Sequence, residues 1–184
     1  VEVRRGAEVK LDLPEPDLSD PRFRLGGGTF VLVEFPYFTV PPRSSRVMAH
    51  LRSQGWTPIV AHPERYGGML SGLDVLEEWR SAGADLQVNG PSLIGRYGEE
   101  ARIAAFRILE NGWADYLSSD YHAHGRPDIT AYREALRSIG GEEQMLLLTE
   151  MNPRRMLDDQ TPLPVAPLAL KRSLWDRISG TFRG

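Results

Sequence analysis

Short apolar runs alternate along this chain with longer stretches in which apolar residues recur every three or four positions. The runs have the length of β-strands, and the periodic stretches are typical of amphipathic helices. This alternation predicts an α/β fold built from repeated βα units around a parallel sheet. The predicted strands lie, in order, in VEVRRGAEVKL, TFVLVEF, TPIVAH, ADLQVN and WADYLSS.

The stretches between the strands predict helices that end at or near a glycine. The first of them, RSSRVMAHLRSQG, places Val47, Met48 and Leu51 on a single face. The other predicted helices are LDVLEEWRSAG, EEARIAAFRILENG and ITAYREALRSIGG. Prolines and glycines predict a loop in LPEPDLSDPRFRLGGG, and NPRRML is predicted to be a short turn.

Composition divides the chain into three parts. Residues 1–157 carry the alternating pattern and form one predicted α/β domain, while the proline-rich residues 158–167 are predicted to be a linker. Residues 168–184 form a basic tail that is amphipathic if helical. Such a tail could contact a partner or a membrane surface, although its terminal position favours a frayed end.

Composition also excludes several classes of function. With no cysteine among 184 residues, the chain has neither disulfides nor a thiolate nucleophile, so a metal would bind to oxygen and imidazole nitrogen. The net charge of −3 argues against a nucleic-acid partner. The chain contains no apolar run of about 18 residues that could span a membrane, and no signal peptide is visible. A cytoplasmic location is therefore expected.

The chain opens at Val1, without methionine and within a predicted strand. We therefore expect it to be the later part of a longer protein.

Polar residues with metal-binding or hydrogen-bonding side chains stand at the ends of five successive predicted strands. In parallel α/β folds, function gathers at the carboxyl ends of the strands. Residues Asp120 and His122 of SSDYHAH are two positions apart, so an extended backbone projects both to the same side. The full set is Glu8, Glu34, His62 with Glu64, Asn89, and Asp120 with His122.

Each of these residues also has a purely structural interpretation. Glu8 could pair with a nearby arginine, His62 could be a core histidine bonded to a carbonyl, and Asp120 could cap the loop after its strand. Glu34 is different, because an unpaired carboxylate inside an apolar run costs several kcal/mol and requires a cation. Together the set favours a shared site for divalent metal ions.

Two arginines follow the predicted ligands, Arg65 in PER and Arg126 in GRP. A guanidinium group beside a metal centre suits the oxygens of a phosphate group, because it is forked and permanently charged. Each could equally be an ordinary surface arginine. His50 lies within a predicted helix and is assigned no chemistry.

A family resemblance becomes specific at this point. The motifs GAE, VEFP, TPIVAHPER, NGPSLIGRYG, SSDYHAHGRP and NPRRML occur in this order between Val1 and Leu157. They resemble the bacterial manganese-dependent protein-tyrosine phosphatases of the polymerase-and-histidinol-phosphatase (PHP) superfamily, which are associated with capsular and exopolysaccharide synthesis. AHPER together with SDYH carries most of the specificity, and residues 1–157 would be the later portion of the PHP phosphatase domain.

The resemblance implies a distorted (β/α)7 TIM-like barrel that holds two or three divalent ions at the carboxyl ends of its strands. The implied ion is manganese (Mn2+), with iron or zinc as alternatives. Carried over by motif, Glu8 bridges two ions, and Glu34 and His62 complete the second site. Asp120 binds the first ion and His122 the third.

The resemblance further implies that Arg65 and Arg126 bind the substrate phosphate, while His124 receives no role from it. The implied reaction is metal-assisted hydrolysis of phosphotyrosine in a protein, such as a bacterial tyrosine kinase.

The family pattern also begins with a histidine-rich strand that this chain lacks before Val1. We therefore expect a truncated barrel without its first βα units, and little activity from the chain alone. Two alternatives remain: a small-molecule phosphatase of the histidinol-phosphate type, and a catalytically incompetent fragment that binds a partner.

Overall fold

A parallel β-sheet forms the centre of the protein. The computed structural model describes residues 4–13, 15–122 and 129–170. Within them, five strands lie in the order β1-β2-β3-β4-β5, and each pairs in parallel with the next along the chain. This confirms the predicted α/β fold with a parallel sheet. The strands are β1 (Glu8–Lys10), β2 (Phe30–Glu34), β3 (Thr57–Ala61), β4 (Asp85–Asn89) and β5 (Tyr116–Ser118).

Helices connect the strands from β2 onward and follow β5. Short 3-10 turns precede or replace helices at Pro21–Phe23, Pro36–Phe38 and Pro63–Arg65. None of the helices in the described ranges is long and apolar enough to cross a membrane. The helices are α1 (Ser44–Ser53), α2 (Asp74–Ser81), α3 (Gly90–Leu93), α4 (Glu99–Glu110), α5 (Ile129–Ser138), α6 (Glu142–Leu146) and α7 (Asn152–Leu157).

Helix α1 shows how the predicted periodicity becomes structure. Met48 and Leu51 are one helical turn apart and are both buried, whereas Val47 is only partly covered. The chain leaves the helix through Gly55, whose φ of +86° is the left-handed conformation that glycine adopts at little cost. The predicted helix and its glycine stop are therefore confirmed.

The two faces of the sheet bury different residues, because successive side chains of a strand point to opposite sides. The helical face carries the main core, which includes Val31, Val33, Val60, Leu86 and Val88. Burying a side chain of this kind contributes about 1.5–3 kcal/mol.

The opposite face carries a smaller cluster of Phe30, Ile59 and Tyr116, with Leu32 packed against it. Glu8 is the register partner of Leu32, so it projects from this same face. The sheet therefore has one apolar face under the helices and a second face that also carries the acidic side chain of Glu8.

The stretch NPRRML forms helix α7, so the prediction of a short turn is wrong. A π-helical turn over Leu147–Met151 joins α6 to α7 and keeps the chain helical throughout. Pro153 lies in the first turn of α7. A missing backbone N–H is tolerated there, which is why proline did not end the helix.

The later part of the segment predicted to be a linker packs against the domain. Leu163 donates its N–H to Oδ1 of buried Asn152 at 2.8 Å and accepts from Nδ2 of the same side chain at 3.0 Å. Val165 is buried, and the N–H of Leu168 donates to the carbonyl of Leu109 at 3.0 Å. The prolines therefore mark an extended docked segment rather than a free spacer. Residues 171–184 of the predicted tail lie outside the described residues.

Strand β1 is shorter than predicted. Residues 4–7 lie outside any strand, and Glu8 opens β1 instead of following a strand. Its place beside the other candidate residues is set by its pairing with β2 and not by the end of a preceding strand.

Candidate metal centre

Three side chains from neighbouring strands meet at one edge of the sheet. Nε2 of His62 lies 3.1 Å from Oε1 of Glu8 and 3.6 Å from Oε2 of Glu34. One ligand atom from each of the three lies within 4.8 Å of the others, which is close enough to hold one metal ion. The predicted convergence of these three residues is therefore present in the fold.

A second group forms around Asp120, in the loop after β5. One carboxylate oxygen, Oδ1, lies 2.8 Å from Nε2 of His122. Asp120, His122 and Glu8 again have ligand atoms within 4.8 Å of one another. Glu8 thus belongs to both groups, and a carboxylate with two oxygens can bridge two cations.

The other oxygen of Asp120 is held by the protein. Nδ2 of Asn89 donates to Oδ2 at 2.7 Å, and Nη1 of Arg65 donates to the same oxygen at 3.2 Å. Asn89 is fully buried at the end of β4, so it fixes the Asp120 carboxylate with little freedom. This contact gives a role to Asn89, which the sequence marked as polar but did not assign.

The backbone is unusual at two of the candidate ligands. His62 has φ +37° and Asp120 has φ +47°, both in the left-handed region that non-glycine residues seldom occupy. His62 follows directly after β3, and Asp120 lies in the loop just after β5. Strained conformations of this kind gather at functional sites, where the surrounding structure holds them in place.

The donor set fits divalent cations. Glu8, Glu34 and Asp120 bring three carboxylates together with the imidazoles of His62 and His122, and ligands of this chemistry suit manganese, iron or zinc. The ring of His62 is buried, and its Nδ1 has no hydrogen-bond partner among the described residues. At these distances carboxylates of the cluster face one another. A cation between them would stabilise this arrangement.

Lys10 partly offsets the negative charge at the rim of the cluster. Its Nζ lies 3.8 Å from Oε1 of Glu34, the oxygen that is not the one facing His62. Because Lys10 is largely exposed, this pair contributes little to stability. Because Lys10 contacts Oε1 of Glu34, the other oxygen, which faces His62, stays open.

Glu64 is a buried acid beside the site. It was among the polar residues at the strand ends but was not predicted to bind metal or phosphate. Its Oε1 accepts from the hydroxyl of Ser92 at 2.6 Å and from the N–H of Asn89 at 3.1 Å, which ties the turn after β3 to α3. Burial raises the pKa of Glu64 to about 7, against the lowering effect of these hydrogen bonds. Glu64 therefore braces the loop that carries His62 and Arg65.

Arg65 lies between two aromatic rings that sequence reasoning did not select. Its guanidinium carbon is 4.4 Å from the ring centre of Phe38 and 4.1 Å from that of Tyr97. The predicted phosphate ligand therefore reaches the edge of the metal cluster, where it also contacts Asp120. The only sequence signal for Tyr97 was its position between the glycines of GRYG. Such a motif indicates a turn, but it does not indicate that Tyr97 contacts Arg65.

The structure brings together five predicted ligands and one of the two predicted arginines. The remaining predicted phosphate ligand, Arg126, and the unassigned His124 lie outside the described residues. His50 lies on α1.

Comparison with known families decides the relationship. The family described as capsular polysaccharide synthesis, CpsB/CapC, matches residues 5–158, which span all five strands and all the described candidate ligands. The chain belongs to the CpsB/CapC family. This agrees with the resemblance found in the motifs.

Individual members of the CpsB/CapC family are similar over much of this chain. The tyrosine-protein phosphatase YwqE of Bacillus subtilis (strain 168) is 29% identical over 174 residues, covering 93% of this chain and 66% of YwqE. CapC of Staphylococcus aureus is 30% identical over 132 residues, covering 66% of this chain and 52% of CapC. The chain thus spans between about half and two thirds of the length of these relatives.

The fold also matches a solved structure of the same group. The crystal structures of YwqE from Bacillus subtilis and CpsB from Streptococcus pneumoniae are described as those of metal-dependent tyrosine phosphatases. The match has a TM-score of 0.71 at 26% identity and covers 82% of this chain and 61% of the other. The parallel sheet and its connections therefore match the fold of these solved phosphatases.

Proposed function

We propose that this protein is a metal-dependent phosphomonoester hydrolase that acts on phosphotyrosine in proteins and serves capsular or exopolysaccharide synthesis. One observation carries the proposal: two groups of three side chains, each group close enough to hold a metal ion, converge at the sheet edge and share Glu8. The names of the relatives, which include tyrosine-protein phosphatases, supply the substrate class.

The residues of the site have distinct roles in this proposal. Glu8 would bridge two ions, Glu34 and His62 would complete one site, and Asp120 with His122 would contribute to the others. Bound divalent cations would lower the pKa of water and withdraw charge from the phosphoryl oxygens. The ion we propose is manganese, with iron or zinc as alternatives, because all three accept this set of ligands.

The chain's own cations orient the phosphate. The guanidinium of Arg65 lies at the rim of the cluster, 3.2 Å from Asp120, where it can donate two parallel hydrogen bonds to a phosphate group. Arg126 is proposed as the second phosphate ligand from its motif, GRP. Permanently charged arginines balance the negative charge that a phosphate brings to a cluster of carboxylates.

We propose that the sheet is part of a distorted (β/α)7 barrel. The support is topological: five parallel strands follow one another in sequential order, which is how a singly wound barrel is built. A doubly wound sheet would instead reverse its strand order at a switch point. The family match over residues 5–158 supports residues 1–157 as the phosphatase domain.

The proposed partner is a phosphotyrosine protein, in particular a bacterial tyrosine kinase, in the cytoplasm. The support for the kinase is the motif resemblance, and the support for phosphotyrosine is the relatives' names.

Manganese binding and hydrolysis test the proposal together. Calorimetric titration of the 184-residue chain with manganese is expected to show at least one ion bound per chain. His62→Ala, which removes a buried ligand, should lower the manganese affinity by at least about 100-fold. Hydrolysis of a phosphotyrosine peptide should require the metal and should stop when a chelator is added.

The substrates and a second histidine variant provide the controls. A phosphoserine peptide and histidinol phosphate should react more slowly than the phosphotyrosine peptide. His50→Ala, which changes a histidine on α1 outside the cluster, should keep wild-type manganese affinity. A chain that binds no divalent metal, or whose hydrolysis of the phosphotyrosine peptide is unaffected by a chelator, would contradict the proposal.

A further inference from the structure

The guanidinium of Arg65 contacts two aromatic rings. The distances from its carbon to the ring centres, 4.4 Å for Phe38 and 4.1 Å for Tyr97, are those of cation–π contacts. The guanidinium nitrogens can still donate hydrogen bonds, and one of them already contacts Asp120. The two rings therefore restrict the orientation of the Arg65 guanidinium.

Both rings are held in place by their backbone. The carbonyl of Phe38 accepts the N–H of Gly67 at 2.9 Å, which joins the turn after β2 to the turn after β3. Tyr97 lies in the loop before α4, between Gly95 and Gly98, whose φ angles of +77° and +91° favour glycine. A substitution at either glycine would be strained, so this loop conformation is specified by the sequence.

A cavity of about 450 Å³ borders this stack. It is lined by Phe38, Arg65 and Tyr97 together with Gly67 and Gly68, among others. The volume falls within the range of about 300–1,000 Å³ that is usual for small-molecule sites. Phe38 and Tyr97 are 37% and 38% exposed, which leaves apolar ring surface beside a cationic group.

We propose that Tyr97 is a positioning and specificity-determining residue for aryl phosphates. It holds the guanidinium of Arg65 ready for the phosphate group, and its exposed ring surface packs against the aromatic part of the substrate in the adjoining cavity. The inference rests on the proposed phosphatase function, because it assigns to that function a residue that selects the organic group of the ester.

Tyr97 is a cleaner position to test than Phe38. The ring of Phe38 also packs against the imidazole of His62, with 5.4 Å between the ring centres, so its substitution would disturb a candidate metal ligand as well. Tyr97 contacts Arg65, the proposed phosphate ligand. Tyr97→Leu removes the ring, whereas Tyr97→Phe keeps the stacking face and serves as the matched control.

Binding of inorganic phosphate provides a readout that does not depend on turnover. In calorimetric titrations of the full chain with manganese present, Tyr97→Leu should weaken phosphate binding by about tenfold, the usual worth of one such contact. Tyr97→Phe should stay within about twofold of the wild type. Manganese content, measured by elemental analysis, should be the same in all three proteins.

Steady-state kinetics test the specificity part. For Tyr97→Leu we expect a raised KM for p-nitrophenyl phosphate, a smaller change in kcat, and a lower preference for this aryl ester over glycerol phosphate. Tyr97→Phe should restore the preference. If Tyr97→Leu lowers the melting temperature, Tyr97→Met replaces it, because the flexible, unbranched methionine side chain also lacks the ring but adapts to irregular gaps.

The outcomes separate this inference from the function on which it rests. Equal phosphate affinity and equal aryl preference in the wild type and Tyr97→Leu would overturn the role of Tyr97 while leaving the hydrolase proposal intact. A wild-type chain that binds manganese but no phosphate would overturn the phosphate role of Arg65, and with it this inference.

Discussion

The two ends of the sheet both gather acidic side chains, but the partners of those side chains differ. At the amino end, Oδ2 of Asp115 accepts from Arg80 at 2.8 Å and from the N–H of Leu86 at 2.8 Å. The hydroxyl of Tyr116 donates to Asp85 at 3.1 Å. Each of these carboxyl groups has a fixed partner within the protein, which is typical of structural acids.

At the carboxyl end the acids face one another instead. Glu8 and Glu34 approach the same nitrogen of His62, and Glu8 also belongs to the group around Asp120. Such a cluster is costly on its own and is stabilised when cations enter it. The comparison teaches that acids converging on one another mark the site for a ligand, whereas acids held by fixed partners within the protein mark the framework.

The largest effect is expected from Glu8, the acid shared by both ligand groups. Glu8→Ala should lower manganese affinity by at least about 100-fold, because each group loses a ligand. The free energy of unfolding without metal should fall by no more than about 0.5 kcal/mol, because a partly exposed and repelled charge is lost. Manganese calorimetry and urea denaturation measure the two quantities. A strongly destabilised apo protein would show that Glu8 is a framework residue.

Asp115 should behave in the opposite way. Asp115→Ala leaves the buried N–H of Leu86 without its partner and removes the carboxylate from Arg80, which keeps only the carbonyl of Trp113. We therefore expect a loss of about 3 kcal/mol of unfolding free energy with unchanged manganese affinity. Glu99→Ala is the matched control, since the Glu99–Arg102 pair on α4 is more exposed. That change should cost no more than about 0.5 kcal/mol. Equal costs for both variants would remove the distinction between paired framework acids and surface acids.

Asp85 predicts a pH dependence of stability. Burial, followed by the nearby charge of Asp115, raises its pKa to about 7 in the folded protein. The unfolded chain has a value of about 3.9, so between pH 4 and 7 the native state holds a proton that the unfolded state releases. Stability should therefore fall as pH rises through this window, by at most about 1.4 kcal/mol per pH unit.

Asp85→Asn isolates that contribution, because an amide does not titrate. Glu64 has a raised pKa of the same sign, so the wild type and the variant should both lose stability with rising pH, the variant less steeply. Urea denaturation at pH 5 and pH 7.5 measures the two slopes. Parallel slopes would contradict a buried, protonated Asp85.

The smallest effect is expected from the histidine outside the cluster. His50 lies near the end of α1 and is partly exposed, so His50→Ala should change unfolding free energy by no more than about 0.5 kcal/mol and leave manganese affinity unaltered. Thermal denaturation with and without manganese checks this. If His50→Ala abolished the shift in melting temperature that manganese causes, a position in the cluster would not be what distinguishes His62 from His50.

Much of the site could be predicted because it stands at regular places in the sequence. Glu34 and Asn89 end strands that the apolar runs marked clearly, and parallel strands bring such ends to one edge. Arg65 could be chosen because it follows His62 by three positions in a recognisable motif. The ends of β3 and β5 were predicted closely enough to place His62 and Asp120 near one another.

Other features depend on contacts between residues distant in sequence. Tyr97 stacks on Arg65 although α2, β4 and α3 lie between them in the sequence, and no local pattern marks that pairing. Ser92 and Glu64 hydrogen-bond over 28 positions. The proline-rich stretch after α7 was predicted to be a linker, because composition reports backbone stiffness but not whether an extended chain finds a surface to pack on.

By itself, the sequence determined the order of strands and helices, the parallel sheet and the identity of the groups at its edge, because these follow from local periodicity and from alternation of side chains along a strand. Only the tertiary structure decided that Glu8 joins two ligand groups, that Asp115 is paired while Glu34 faces the cluster, and that Arg65 is clamped by aromatic rings. The reason is physical: residue type sets which interactions are available, whereas distances between strands and loops set which of them are made.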